Sequence, residues 1–430
     1  MKIPFKKLLL VCCFLSLQHV FCQKNRILFH NATVHTGLGT VLKNTSVGIE
    51  NNKIVFLQNI FSFKIDSTKW NKIIDLNEQA LYPAFVSSNS TLGLTEIDAV
   101  RATLDFHDVG KMNPHIRTAT TFNTDSKVLQ TVLTNGILIV QATPKGNTIS
   151  GSSSIFFSNG WNWEDALIKA DDGIHVHWPN PIQFKKEQKK DNDLTQDENY
   201  LKECEELELF FKSAYHYSLQ KKDQDLDLRF EAMKDLFNGN KKVYFHANHV
   251  RQLLDIIAFV KENHIKNPVF IGGYESYLCL DRIRDSEIPI LLTRVHSLPS
   301  HDDEAIDLPY RLPYLLFKQG ILFGLQNEGD MEAMNARNIP FLAGTAMAYG
   351  LPEEEAIKAI SFNVCKIIGI DKDFGSIEIG KNATFFVSKG SALDMKTNQL
   401  SHILINGNFV KVENFQKELY NKYMEKYGLE

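Results

Sequence analysis

Between Gly136 and Leu325 the chain repeats one pattern, a short apolar run followed by a stretch with helical spacing. "GILIVQATP" (Gly136 to Pro144), "KKVYFHA" (Lys241 to Ala247), "NPVFIGG", "IPILLTR" and "GILFGL" are short runs of the kind that form buried strands. After Ala247, the residues Val250, Leu253, Leu254, Ile257 and Val260 recur on one helical face. In "LPEEEAIKAISFNVCKIIGI", Pro352 and the acids behind it mark a helix start, with Ala356, Ile360 and Ile367 as its apolar face. Strands alternating with helices over such a length make parallel βα units, hence a barrel or a doubly wound sheet.

The two ends have a different texture. "RILFHNATVHTG" and "TSVGIENNKIVFLQ" alternate and are β-branched, with hairpin chemistry at "ENNKI", and strand-like runs return in "NATFFVSKG" and "HILINGNFV". Strand-rich segments on both sides of the βα region predict one small β-domain assembled from both ends of the chain.

The first residues read as an export signal. Lys2, Lys6 and Lys7 precede an apolar run from Leu8 to Leu17, which is shorter than a membrane span. Cleavage is expected after Cys22, with lipid attachment at that cysteine left open, and the mature protein is expected in the periplasm or outside the cell. No further run is long enough to span a membrane. With a formal charge of -4, no basic patch is dense enough to argue for nucleic acid, and none is expected as a partner. Cys204, Cys279 and Cys365 are too few and too scattered for a disulfide framework and read as buried free thiols. The mixed-charge run from Phe184 to Glu206 reads as a solvated loop leading into a long helix.

Several pieces, in order, resemble the amidohydrolase superfamily, in its imidazolonepropionase-like branch. These are "NATVHTGLGTVLKNTSVGIENNKI", "IIDLNEQALYPAFV", "ARNIPFLAGTAMAYGLPEEEAIKAISFNVCKIIGI" and "FGSIEIGKNATFFV". The resemblance implies a (β/α)8 TIM-like barrel with a small composite β-sandwich domain formed by N- and C-terminal segments. The implied division is a signal peptide at 1–22, β-domain at 23–80 and 373–415, barrel at 81–372, and a C-terminal helix at 416–430.

It also implies a metal site at the C-terminal ends of the barrel strands: a His-x-His pair on the first strand, histidines on the fifth and sixth, and an aspartate after the eighth. Carried onto this chain, the pair falls on Asn89 and Thr91, which are poor ligands for zinc and fit substrate or water contacts instead. The fifth-strand histidine is His246. In place of the sixth stands "GGYESY", with Glu275 as its only donor and Tyr274 as a substrate contact. The aspartate position is nearest Glu328. His246 and Glu328 are therefore the expected catalytic pair and the remaining metal donors.

Other residues could rebuild the site. His175 and His177 form a true His-x-His in "DDGIHVHWP", which could join His246 around an ion or simply line a polar strand face. "ISGSSS" (Ile149 to Ser154) reads as a turn-rich loop whose Ser150 and Ser152 could cradle a carbonyl or carboxylate. "RVHSLPSHDDEAIDLPYRLP" reads as a polar surface loop. The cofactor stays open between zinc, another divalent ion and none. The expected function is hydrolysis of a non-peptide C–N bond. Its alternative is a barrel without catalysis that binds a small molecule or pairs with an intact amidohydrolase or with itself.

Overall fold

The computed structural model describes residues 25–183, 195–196, 199–220 and 225–429. The expected signal segment at 1–22 and residues 184–194 of the mixed-charge run lie outside the described residues; that run continues into a helix at Tyr200–Leu219.

The β-domain uses β1 (Arg26–His35), β2 (Val41–Glu50), β3 (Lys53–Asn59), β4 (Lys72–Asp75) and β5 (Ala80–Pro83) from the first segment. One strand is shared twice: the first half of β1 pairs with β4, and Thr33 and Val34 pair with β5. Irregularities in the β1–β2 register at Phe29, Ala32 and Val34 bend the strand between these partners. The bend wraps the sheet around its own apolar core, with Phe29, Val34, Val47, Ile49, Leu81, Phe385 and Val387 fully buried.

The chain then enters the barrel wall through β6 (Phe85–Ser90), β7 (Ile137–Ala142), β8 (Ile149–Phe157) and β9 (Leu167–His177). A two-stranded ribbon, β10 (Ile182–Gln183) with β11 (Thr195–Gln196), leads on to β12 (Lys242–Ala247), β13 (Pro268–Gly272), β14 (Ile290–Leu292) and β15 (Phe323–Leu325). β6 to β9 and β12 to β15 make one eight-stranded sheet in chain order. The chain returns to the β-domain with β16 (Phe385–Ser388), β17 (Leu400–Ile405) and β18 (Asn408–Val410), where β16 pairs antiparallel with β5. A helix at Phe415–Tyr427 follows.

Three features depart from the sequence reading. β8 is antiparallel to both β7 and β9, so the strands β7, β8 and β9 form a meander where a βα unit was expected. The run "ISGSSS" is thus not a loop: Ile149 to Phe157 are all buried strand residues. Small hydroxyl side chains read as turn formers, yet a strand buried on both faces accepts them when neighbours satisfy their hydroxyls. Third, the helix expected after Pro352 is two helices, Glu353–Ala359 and Phe362–Ile368, broken at Ile360 and Ser361. The break closes the barrel's seam. Val86 N on the β6 edge donates to Ile360 O at 2.9 Å, and Asn363 Nδ2 donates to Phe323 O on the β15 edge, also at 2.9 Å. Edge groups that would otherwise stay unpaired are satisfied by the connection itself.

The helix Val250–Glu262 starts as expected, with His249 as N-cap and Gln252 completing a capping box. Its buried face is Leu253, Ile256 and Phe259, rotated from the expected one, and Leu254 is 37% exposed. Cys204, Cys279 and Cys365 are free thiols, the last two buried. Among the described residues no helix is long and apolar enough to cross a membrane.

Candidate active site at the barrel mouth

His175 and His177 lie two apart on β9, and therefore on the same side of the strand. β9 runs parallel to β12 in a register that sets His175 beside Tyr244 and His177 beside His246. The Tyr244 ring stacks on His175 at 4.6 Å, and the His246 ring stacks on His177 at 4.0 Å. Gly173 makes room for this: a Cβ there would stand 2.2 Å from the Tyr244 ring. Glu328, three residues beyond β15, completes the group, with Oε1 3.8 Å from His246 Nδ1.

A continuous hydrogen-bonded chain leads inward from His246. Its Nε2 is 3.0 Å from His175 Nδ1, and His175 Nε2 is 2.9 Å from Ser153 Oγ on β8. Ser153 donates to Asp172 Oδ1 at 2.6 Å, while Tyr244 OH and Gln141 Nε2 donate to Asp172 Oδ2 at 2.7 and 3.1 Å. Gln141 is oriented by Asn89 N, which donates to its Oε1 at 3.0 Å. Burial raises the Asp172 carboxyl above its ordinary value and the hydrogen bonds from Ser153, Tyr244 and Gln141 pull it back; with three donors on its oxygens it serves as the acceptor at the inner end, and the bonds above it follow that direction. Ser153 accepts from His175 Nε2–H, and His175 Nδ1 accepts from His246 Nε2–H. The lone pair of neutral His246 is then left on Nδ1, facing Glu328.

Burial pushes all three imidazoles toward their neutral forms: His175 well below the ordinary value, His177 down to about 2, and His246 lowered as well. The carboxylate of Glu328 pulls His246 the other way, and the Lys145 charge adds to the effect of burial. For Glu328 burial opposes ionisation, while the Lys145 ammonium and the Gln326 amide, whose Nε2 donates to Oε2 at 3.2 Å, favour the carboxylate; His246 adds to this only when it carries a proton on Nδ1. The centre is thus a neutral imidazole facing an ionised carboxylate. Several of its polar atoms are buried without a partner: His246 Nδ1, His177 Nε2, Asn89 Nδ2 and Gln326 Oε1.

The first-strand positions are remodelled. Between Ser87 and Ser90, β6 spans three residue steps against two on β7, and Asn89 takes the left-handed φ of 49°. This one-residue bulge breaks the alternation that would aim Asn89 and Thr91 together. Asn89 Oδ1 instead accepts from Lys145 Nζ at 3.1 Å, and Thr91 N donates to Glu332 Oε1 at 3.0 Å. Lys145 and Glu332 pair at 3.3 Å with only 15% and 12% of their side chains exposed. A cavity of about 460 Å³ opens above this pair, walled by Thr91, Leu104, Phe106, Lys145, Met331 and Glu332 among others.

The other expected contacts lie elsewhere. Ser150 and Ser152 do not join the histidine chain: Ser150 Oγ is buried without a partner, and Ser152 Oγ accepts from Lys241 Nζ at 3.2 Å. Tyr274 donates to Glu304 Oε2 at 2.5 Å, and Glu275 sits between His249 Nδ1 and His301 Nε2, each 3.1 Å away. The residues that sequence reading passed over are Gln141, Lys145, Ser153, Asp172, Tyr244 and Glu332. Lys145 carried a signal, being a charged residue just beyond the end of an apolar strand; Asp172 stood in "DDGIHVH", three residues before His175.

The side chains do not form the metal set that the resemblance implies. Among the described residues no three His, Cys, Asp or Glu side chains are placed to hold an ion. Both ring nitrogens of His175 are engaged, and a lysine ammonium sits against the first-strand position.

This fold is similar to those of solved amidohydrolase structures. The chain matches the structure of an amidohydrolase from Thermotoga maritima MSB8 with a TM-score of 0.76 at 23% identity, over 90% of this chain and 99% of that one. It matches a Xaa-Pro dipeptidase with bound methionine in its active site with a TM-score of 0.53 at 13% identity, over 90% of this chain and 100% of that one. An adenosine deaminase from Xanthomonas campestris with bound zinc matches with a TM-score of 0.51 at 12% identity, over 93% and 97% of the two chains. No protein-family model and no curated protein sequence matches the chain.

Proposed function

We propose that the chain is a hydrolase of non-peptide C–N bonds, acting on a small cyclic or acylated amide at the barrel mouth. The observation that carries this reading is the convergence of His175, His177, His246 and Glu328, with His246 Nδ1 buried, without a hydrogen-bond partner and 3.8 Å from the carboxylate, while a cavity opens on the neighbouring Lys145 and Glu332. Buried polar groups are ordinarily satisfied, and exceptions gathered among titratable side chains are a signature of groups kept for a ligand.

In this reading Glu328 takes a proton from a water whose oxygen bonds to the carbonyl carbon. The C–N bond breaks as that proton reaches the leaving nitrogen, giving a carboxylic acid and an amine. His246, held in its Nε2–H tautomer by the chain through His175 and Ser153 to Asp172, takes the other water proton at Nδ1 as the hydroxyl of the adduct and returns it to the product acid. The superfamily's metal would supply a polarised water, and no step here depends on it. The test is a panel of lactams, cyclic imides and N-acyl amino acids, assayed with wild-type protein and with Glu328→Gln. Turnover of one class that Glu328→Gln abolishes supports the reading; wild-type protein inert to the whole panel counts against it.

A second reading is a non-catalytic binding barrel, alone or paired with an intact relative. It is favoured by Asn89 and Thr91, whose groups are largely taken up by Gln141, Lys145 and Glu332. Export through residues 1–22 belongs to the same proposal, and N-terminal sequencing of the mature protein, expected to begin at Gln23, tests it.

A further inference from the structure

The feature that neither the resemblance nor the proposed reaction accounts for is Lys145. It follows β7 at the mouth end of the barrel, its side chain is 15% exposed, and it lines the cavity. Its Nζ is 3.1 Å from Asn89 Oδ1, 3.4 Å from Asn89 O and 3.3 Å from Glu332 Oε2. Asn89 is the residue that stands where the first histidine of a metal grip would be. The ammonium therefore rests on the same corner of the barrel that a divalent ion would use, and its charge reaches His177, His246, Glu328 and Glu332.

We propose that Lys145 is the resident cation of this site, excluding a divalent metal and donating a hydrogen bond to the carbonyl oxygen of the substrate. The second half rests on the hydrolase reading; the first does not. A lysine has three donors, and the longest of its three contacts, to Asn89 O, is the one a ligand oxygen would replace. As water adds to the carbonyl carbon, negative charge gathers on that oxygen, and a fixed ammonium in a partly buried pocket stabilises it without reorganising. The same charge repels zinc. A second positive centre in this partly buried corner is opposed by the ammonium, and because the described side chains are not placed to hold an ion, zinc would bind without Lys145 only as His177, His246 and Glu328 draw together.

The experiment is zinc binding to the full chain by elemental analysis and calorimetry, in wild type, Lys145→Met, Lys145→Arg and Lys145→Met with His246→Ala, all checked for fold by circular dichroism. Wild type and Lys145→Arg are expected to remain substoichiometric in zinc. Lys145→Met is expected to bind it at least about tenfold more tightly, and to lose that gain with His246→Ala. Stoichiometric zinc on the wild type that His246→Ala releases overturns the proposal, as does a Lys145→Met variant no different from wild type. Amide hydrolysis separates the two halves: turnover unchanged by Lys145→Met rejects the carbonyl contact. The expected zinc pattern in a protein inert to all amides keeps the resident cation and rejects the hydrolase reading.

Discussion

Two groups of histidines and carboxylates sit at the strand ends of this barrel, and they are built on opposite principles. At the rim, Glu275 accepts from Val250 N at 2.7 Å and holds His249 and His301, while Glu304 takes the hydroxyls of Tyr274 and Tyr277 and the Ser300 amide. All four carboxylate oxygens are engaged. At the centre, the inner end of the chain is equally saturated at Asp172, but the outer end stops at His246 Nδ1 with nothing within hydrogen-bonding distance. The rim cluster closes on itself and fixes loops. The central one is satisfied below and open above, which is how a site keeps its geometry while reserving an atom for a ligand.

The comparison breaks most visibly at Glu328. Under the proposed reaction Glu328→Gln lowers amide hydrolysis by about 10²- to 10⁴-fold with the fold intact, whereas Glu275→Gln changes the rate by less than about tenfold. Equal losses in steady-state kinetics would erase the distinction between centre and rim.

The next effect is on stability. Asp172→Ala strands Ser153, Tyr244 and Gln141 without their common acceptor, at a cost of about 3 kcal/mol or more in urea unfolding. A loss under about 1 kcal/mol would mean that the chain is not anchored at Asp172.

The rim has its own signature in acid. Burial alone would raise Glu275, but His249, the Val250 amide and His301 bring it from 4.5 down to about 2. A depressed carboxylate contributes stability that is complete above about pH 4.5 and is lost as pH falls toward 2, here about 3 kcal/mol. His301 is shifted upward by the same contact, so its share is present below the ordinary imidazole value and fades as pH rises through the shifted one. Unfolding measured across this range should flatten at the acid end in Glu275→Gln.

The smallest effect sharpens the role of β8. Ser150 Oγ is buried without a partner, so Ser150→Ala is expected to be neutral or to stabilise by up to about 1 kcal/mol, and to leave hydrolysis unchanged. A clear fall in substrate affinity would restore the part that its sequence position suggested.

The legible parts of the molecule were those with local signals. Apolar runs gave β7, β12, β13, β14 and β15, and the order of family-like segments placed His246 and Glu328 at strand ends, where they are found. What stayed hidden depends on pairing between distant segments. The serines of β8 look like a loop until β7 and β9 close around them, and Ser153 becomes part of the site only through the β8–β9 register. His175 and His177 were visible as a pair, but their meeting with His246 follows from the β9–β12 register, which no local pattern encodes. Lys145 and Glu332 are joined across most of the barrel's length in sequence.

The open nitrogen of His246 depends on the direction of the hydrogen-bonded chain, and ¹⁵N NMR of the histidine side chains reads that direction without any substrate. With the chain anchored at Asp172, His175 and His246 should both be neutral Nε2–H tautomers at pH 7, and His246 should stay neutral below the usual imidazole value. A His246 carrying its proton on Nδ1, or an imidazolium at neutral pH, would contradict the account: the open nitrogen facing Glu328 would then not be free to take a proton.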